Sequence, residues 1–180
     1  MRVALDRLYL FAGYLAGLFL LAIFGLMLAL SAGRQIGWNI PAGDDFVSWC
    51  MAACAFLGLA HTFKSGEMIR VELVYDKLKG RARHAIEIVC LVAGLALVGT
   101  FAFYAVRLTY DSYRFNDLAQ GVVAVPLWIP QTGYAAGLVI LAIAFADELA
   151  RVLRGLKPTY EKPPPQTADE VVERALQSGV

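Results

Sequence analysis

The sequence K64-SGEMIRVELVYDKLKGRAR-H84 separates two long apolar segments and carries six Lys/Arg side chains in 21 residues. In a membrane protein, a connection this rich in Lys/Arg resists translocation and stays in the cytoplasm. Its position in the chain therefore predicts the orientation of every apolar segment relative to the cytoplasmic side of the membrane.

Composition indicates an integral membrane protein. Hydrophobic residues make up 59% of the 180 residues, charged residues 17%, and the mean hydropathy is +0.59. Soluble domains have about 45–50% apolar and about 25% charged residues. The net charge of +1 gives no indication of nucleic-acid binding. We expect one membrane domain, residues 1–156, and a flexible, proline-containing cytoplasmic tail, residues 157–180.

The predicted fold is all-α, with four transmembrane helices and a short interfacial amphipathic helix between the second and the third. The helix in the basic stretch is predicted from Val71, Val74, Tyr75 and Leu78, which follow an i, i+3, i+4, i+7 pattern. The four apolar spans are expected at about residues 8–33, 46–63, 88–106 and 126–146.

The charge distribution predicts the orientation. With four spans, both termini and the basic stretch share one side, and that side holds 13 of the 16 Lys/Arg residues. Both termini are therefore expected in the cytoplasm.

Small residues in the first and fourth spans are candidates for close helix packing. Two interpretations are open: contact with the other helices of this chain, or contact with another subunit. The glycines concerned are Gly13, Gly17 and Gly25 in the first span and Gly133 and Gly137 in the fourth.

Polar residues near the span ends are the other candidates. Asp44 and Asp45 precede the second span, where an acid caps a helix or forms an ion pair with a partner. Trp128 opens the fourth span at a position that suits a membrane interface.

The sequence gives no support to an enzyme. The predicted spans contain no Asp, Glu, Lys or Arg, and Cys50, Cys54 and Cys90 lie inside apolar segments. No catalytic, cofactor-binding or metal-binding residues are predicted.

Several short motifs, in order over roughly residues 5–154, resemble the small, Q-type membrane subunit of TRAP (tripartite ATP-independent periplasmic) transporters. They are Leu5-Asp6-Arg7, Gly33-Arg34, Ile40-Pro41, Asp44-Asp45, Phe56-Leu57-Gly58, Gly66-Glu67, Ile69-Arg70-Val71-Glu72, Arg81-Ala82-Arg83 and Val125-Pro126-Leu127-Trp128-Ile129-Pro130.

This resemblance implies a multi-pass protein of the bacterial inner membrane that serves as a scaffold. A large many-spanning subunit would carry the substrate and sodium sites and move as an elevator, and a periplasmic binding protein would deliver an organic acid. Arg34, Asp44 and Asp45 would face the periplasm, and Glu67 and Arg70 the cytoplasm, as ion-pairing residues.

One alternative from another functional class stays open. Four helices without a site of their own also suit a membrane anchor or assembly subunit of a redox or other membrane complex. A bound chromophore would favour that alternative, whereas dependence on a many-spanning partner would favour transport.

Overall fold

The computed structural model describes residues 2–38, 40–65 and 81–155, and it contains four helices. They are α1 (Arg2–Gln35), α2 (Gly43–Ser65), α3 (Arg81–Phe115) and α4 (Trp128–Leu153). Long apolar runs without internal proline allow α1 and α3 to continue for 34 and 35 residues.

The helices lie side by side in the order α1, α2, α4, α3. Extensive contacts join α1 to α2, α2 to α4 and α4 to α3, whereas α1 meets α4 only slightly. Because Gly133 lies at Ala53 and Asp147 lies at Lys64, α2 and α4 run parallel. The two outer helices, α1 and α3, each leave a long face uncovered by the other described helices.

The core between the helices is made mostly of small and aliphatic side chains. Ala12, Ala16, Ala53 and Leu57 form one buried cluster between α1 and α2. A second cluster joins α3 to α4, and a third lies near Lys64. Lipid is as apolar as leucine, so helices in a membrane gain by close backbone approach rather than by removing apolar surface from water.

Two compact connections close one end of the bundle, which we call the Arg34 end. α1 ends at Gln35, two residues before Gly37, whose φ of +76° is left-handed. The Trp38 amide then donates to the Gly33 carbonyl at 2.9 Å. The loop between α3 and α4 folds back on itself through the Ala119 amide, which donates to the Val125 carbonyl at 2.8 Å.

The prediction of an all-α membrane protein is confirmed in outline. Three helices are long and apolar enough to cross a bilayer: Leu5–Gln35, Gly43–Ser65 and His84–Phe115. A membrane crossing by α4 stays a prediction. α4 begins two residues after Pro126 and ends seven residues beyond Ala146, and α3 continues to Phe115 rather than ending near Val106. The predicted interfacial helix and the tail lie outside the described residues.

Candidate partner interface

The two glycines of α4 lie where α4 packs closely against α2. A Cβ atom added to Gly137 would lie 2.5 Å from the carbonyl carbon of Phe56 and 2.7 Å from the amide nitrogen of Leu57. One added to Gly133 would lie 2.7 Å from the Cβ atom of Ala53. Both glycines therefore pack α4 against the backbone of α2 within this chain.

The glycines of α1 divide into two kinds. Gly13 faces α2, where an added Cβ atom would lie 2.8 Å from Cγ of His61. Gly17 and Gly25 have open space where a side chain would be. These two therefore remain available to a partner, and their role toward one stays a prediction.

The predicted polar residues gather at the Arg34 end. Arg34 pairs with Asp44 across the α1–α2 connection at 3.7 Å, with both side chains exposed. Both acids lie in the first turn of α2, as their position before the apolar run predicts, and Asp45 contacts the α3–α4 loop at Gly121. An exposed ion pair of this kind contributes about 0–1 kcal/mol to the free energy of unfolding.

Trp128 lies at the start of α4 and packs edge-on against Tyr113 of α3, with ring centroids 5.7 Å apart. Its indole therefore joins the last two helices at the Arg34 end. The structure thus brings Arg34, Asp44, Asp45 and Trp128 to one end of the bundle, where they take part in three contacts: Arg34–Asp44, Asp45–Gly121 and Trp128–Tyr113.

A buried charged cluster at the opposite end, the Lys64 end, is not among the sequence-predicted sites. The Lys64 ammonium donates a hydrogen bond to Asp147 at 3.2 Å and lies 3.9 Å from Asp6 and 4.0 Å from Glu148. It also lies 5.4 Å from the centroid of the Tyr9 ring. These five residues, the Lys64 cluster, tie together α1, α2 and α4.

Burial makes the Lys64 cluster energetically different from the Arg34–Asp44 pair. The side chain of Lys64 is 15% exposed and that of Glu148 only 1%, against 67% for Arg34 and 81% for Asp44. Removing one member of a buried ion pair typically costs about 3–5 kcal/mol, because the remaining charge is left in a poorly solvated place.

The sequence carried a partial signal for this cluster. Lys64 and Asp147 each follow an apolar span, and Asp6 precedes one, so four-span topology puts all three on one side. Contacts among these residues depend on the order of the helices in space. The spacing of the residues along the sequence does not determine that order. No group of three or more His, Cys, Asp or Glu within the described ranges is arranged to hold a metal ion.

Of the predicted interface residues, Glu67 and Arg70 lie outside the described residues. The others do not form one patch. Gly13, Gly133 and Gly137 are packed inside the chain, whereas Arg34, Asp44 and Trp128 lie at one end of the bundle. A partner role for the predicted set stays a prediction.

Comparison with curated proteins gives no match. A family model does match, over residues 23–155, and its description is the DctQ component of tripartite ATP-independent periplasmic transporters. The matched range begins within α1 and includes α2, α3 and α4. The chain therefore belongs to the DctQ family and is a small permease component of a TRAP transporter.

Proposed function

We propose that this chain is a fixed scaffold for a large, sodium-coupled elevator subunit that takes up an organic acid delivered by a periplasmic binding protein. The observation that supports it most is the family match over residues 23–155. Sodium and substrate would be bound by the large subunit, and this chain would need no cofactor.

The buried Lys64 cluster is consistent with a scaffold role. It joins three helices through one lysine, and sliding α4 past α2 would separate Lys64 from Asp147 and Glu148 in a poorly solvated place. The contact with Asp6 of α1 is exposed and contributes less. A subunit held in this way resists deformation while a neighbouring domain moves. The proposed place is the bacterial inner membrane, with both termini in the cytoplasm.

Affinity purification of the tagged chain from its native membranes in mild detergent tests the proposal. We expect one large, many-spanning membrane protein to co-purify in about equal amount. Recovery of the chain alone, or with a coloured redox protein, would contradict the proposal and favour the membrane-anchor alternative.

Uptake measurements test the coupling. Vesicles that contain the co-purified pair should accumulate an organic acid only when a sodium gradient and the binding protein are both present. Vesicles that contain the large subunit without this chain are the control, and we expect little or no uptake from them. Equal uptake with and without this chain would refute the scaffold role.

A further inference from the structure

We propose that the outward face of α3, centred on the Arg107–Asp111 ion pair, is the surface on which a transmembrane helix of the large subunit packs. This inference rests on the proposed function and specifies where the partner binds. It starts from an ion pair inside an apolar helix, on the side that faces away from the rest of the chain.

The direction of Arg107 follows from its neighbours on α3. Ala102 and Ala105 are buried against α4, and Arg107 follows Ala105 by two residues, or about 200° around the helix. Arg107 Nε lies 3.8 Å from an Asp111 carboxylate oxygen, and their side chains are 66% and 44% exposed. The ion pair therefore lies on the face opposite the bundle.

The depth of Arg107 follows from the Tyr113–Trp128 contact. These aromatic rings pack where α4 begins, and residues of this type favour the membrane–water interface. Arg107 precedes Tyr113 by six residues, which places it about 9 Å further along α3 toward the Lys64 end. Arg107 and Asp111 both lie within the candidate span His84–Phe115.

Charged groups inside membrane spans nearly always face protein or a water-filled cavity. Within the described residues, Arg107 and Asp111 face neither. A partner that covers this face would remove the ion pair from lipid and supply further polar groups to it. α1 carries no charged side chain between Leu8 and Gly33, so its outer face can contact lipid without burying a charge.

The surface beside Arg107 also suits a closely packed helix. Toward the Lys64 end, the exposed residues on the same face include Ala93, Ala96 and Thr100. The Thr100 hydroxyl donates to the Ala96 carbonyl at 2.7 Å, so its polar group is satisfied within the helix. Small side chains of this kind permit close backbone approach between membrane helices. Phe103, nearer Arg107, is the large side chain that would insert between the two helices.

A lipid headgroup is the rival occupant, because arginine near a helix end extends toward the interface. Asp111 argues against it. The Asp111 carboxylate lies one turn nearer the Tyr113–Trp128 level than Arg107, so it stands between the arginine and the interfacial phosphates. It both neutralises the arginine and repels anionic phosphate.

Site-specific photo-crosslinking in native membranes distinguishes the faces. A benzophenone amino acid replaces Phe103 on α3 or, as the matched control, Phe24 on α1; both phenylalanines are 64% exposed. The chain is co-produced with a tagged large subunit. We expect a covalent adduct of the two proteins from position 103 and none from position 24. An adduct from position 24 alone, or only lipid adducts at position 103, would overturn the inference.

Charge reversal gives a second readout. Arg107→Glu would place two carboxylates one turn apart on the covered face. We expect it to lower the co-purified large subunit at least about tenfold relative to the amount of this chain. Arg107→Lys, which keeps the charge, should retain most of it. Co-purification unchanged by Arg107→Glu would overturn the inference while the proposed function stands. If wild type brings down no large subunit, the proposed function fails and the inference with it.

Discussion

Lys64 and Arg34 form ion pairs at opposite ends of the bundle, and both pairs link α2 to α1. The largely buried Lys64 side chain contacts Asp147 and Glu148, which are also largely buried, and the exposed Asp6, whereas Arg34 contacts a single exposed carboxylate. Water screens the exposed pair and competes for its hydrogen bonds, so geometry alone says little about its contribution. In the Lys64 cluster, removal of the lysine charge would take a cation away from Asp147 and Glu148, whose side chains are poorly solvated.

We therefore expect Lys64→Met to lower the free energy of unfolding by about 3 kcal/mol. Methionine keeps most of the length and apolar volume of the lysine stem, so the loss reports the charge rather than a cavity. The measurement is thermal or denaturant unfolding of the purified chain in detergent. Arg34→Met is the control, with an expected loss of at most about 1 kcal/mol. Equal losses from the two substitutions would contradict the energetic role assigned to burial.

For Tyr9, in contrast to Lys64, removal of the polar group is expected to leave the free energy of unfolding unchanged or to raise it. Its side chain is 1% exposed, and within the described part of the chain its hydroxyl has no hydrogen-bond partner. An unpaired buried hydroxyl contributes nothing to offset its desolvation. Tyr9→Phe should therefore leave the unfolding free energy within about 1 kcal/mol of wild type, or raise it. Tyr9→Ala should cost about 3–5 kcal/mol, because it leaves a cavity at the α1–α4 contact. A loss of 3 kcal/mol or more from Tyr9→Phe would mean that the hydroxyl holds a partner such as a water.

At the scale of the helices, the contact between α2 and α4 depends on residues without side chains. Gly137 lets the backbones meet at Phe56 and Leu57, where a methyl group would have to displace main-chain atoms. Backbone atoms of a helix yield less readily than the end of a flexible side chain.

Gly137→Ala should consequently destabilise the purified chain by about 1–3 kcal/mol. Gly17→Ala is the matched control, since its added methyl group would point into open space. We expect that control to be neutral or to gain up to about 1 kcal/mol from helix propensity. Detergent unfolding of the two variants beside wild type makes the comparison. A neutral Gly137→Ala would show that α2 and α4 separate without cost at this point.

The elements differ in how far sequence could predict them. Apolar runs and glycine-rich turns predicted all four helices, because both signals are local. The end of α3 was predicted near Val106 because Arg107 is charged, yet the helix continues to Phe115, since charge ends an apolar run without ending a helix. Gly17 and Gly25 face open space, whereas Gly13, Gly133 and Gly137 do allow close approach between helices. Their partners depend on the order α1, α2, α4, α3, which is a property of the folded chain.

At the scale of the whole molecule, this order gives the two outer helices different surroundings. α2 and α4 are covered on two sides by other helices, whereas α1 and α3 each have one neighbour in extensive contact. The uncharged outer face of α1 suits lipid. The outer face of α3 carries an ion pair, and we have assigned it to the partner. On this proposal, the large subunit would cover the outer face of α3 and lipid would cover the outer face of α1.

The parallel packing of α4 against α2 predicts that α4 crosses the membrane. It runs parallel to α2 and lies level with it from Gly133, at Ala53, to Asp147, at Lys64. If α2 crosses, α4 crosses beside it, and four crossings return the C-terminus to the side of the N-terminus. Thirteen of the 16 Lys/Arg residues then share that side, which the positive-inside rule makes cytoplasmic.

Thiol labelling tests this topology in a chain whose three cysteines, Cys50, Cys54 and Cys90, are replaced by alanine. A membrane-impermeant reagent should label Trp38→Cys, in the α1–α2 connection, from the periplasmic side of intact cells. It should label Ser178→Cys, in the tail, only in inverted vesicles. The cysteine-free chain controls for background labelling. Because three crossings would put the two positions on the same side of the membrane, labelling of Ser178→Cys in intact cells would exclude α4 as a span.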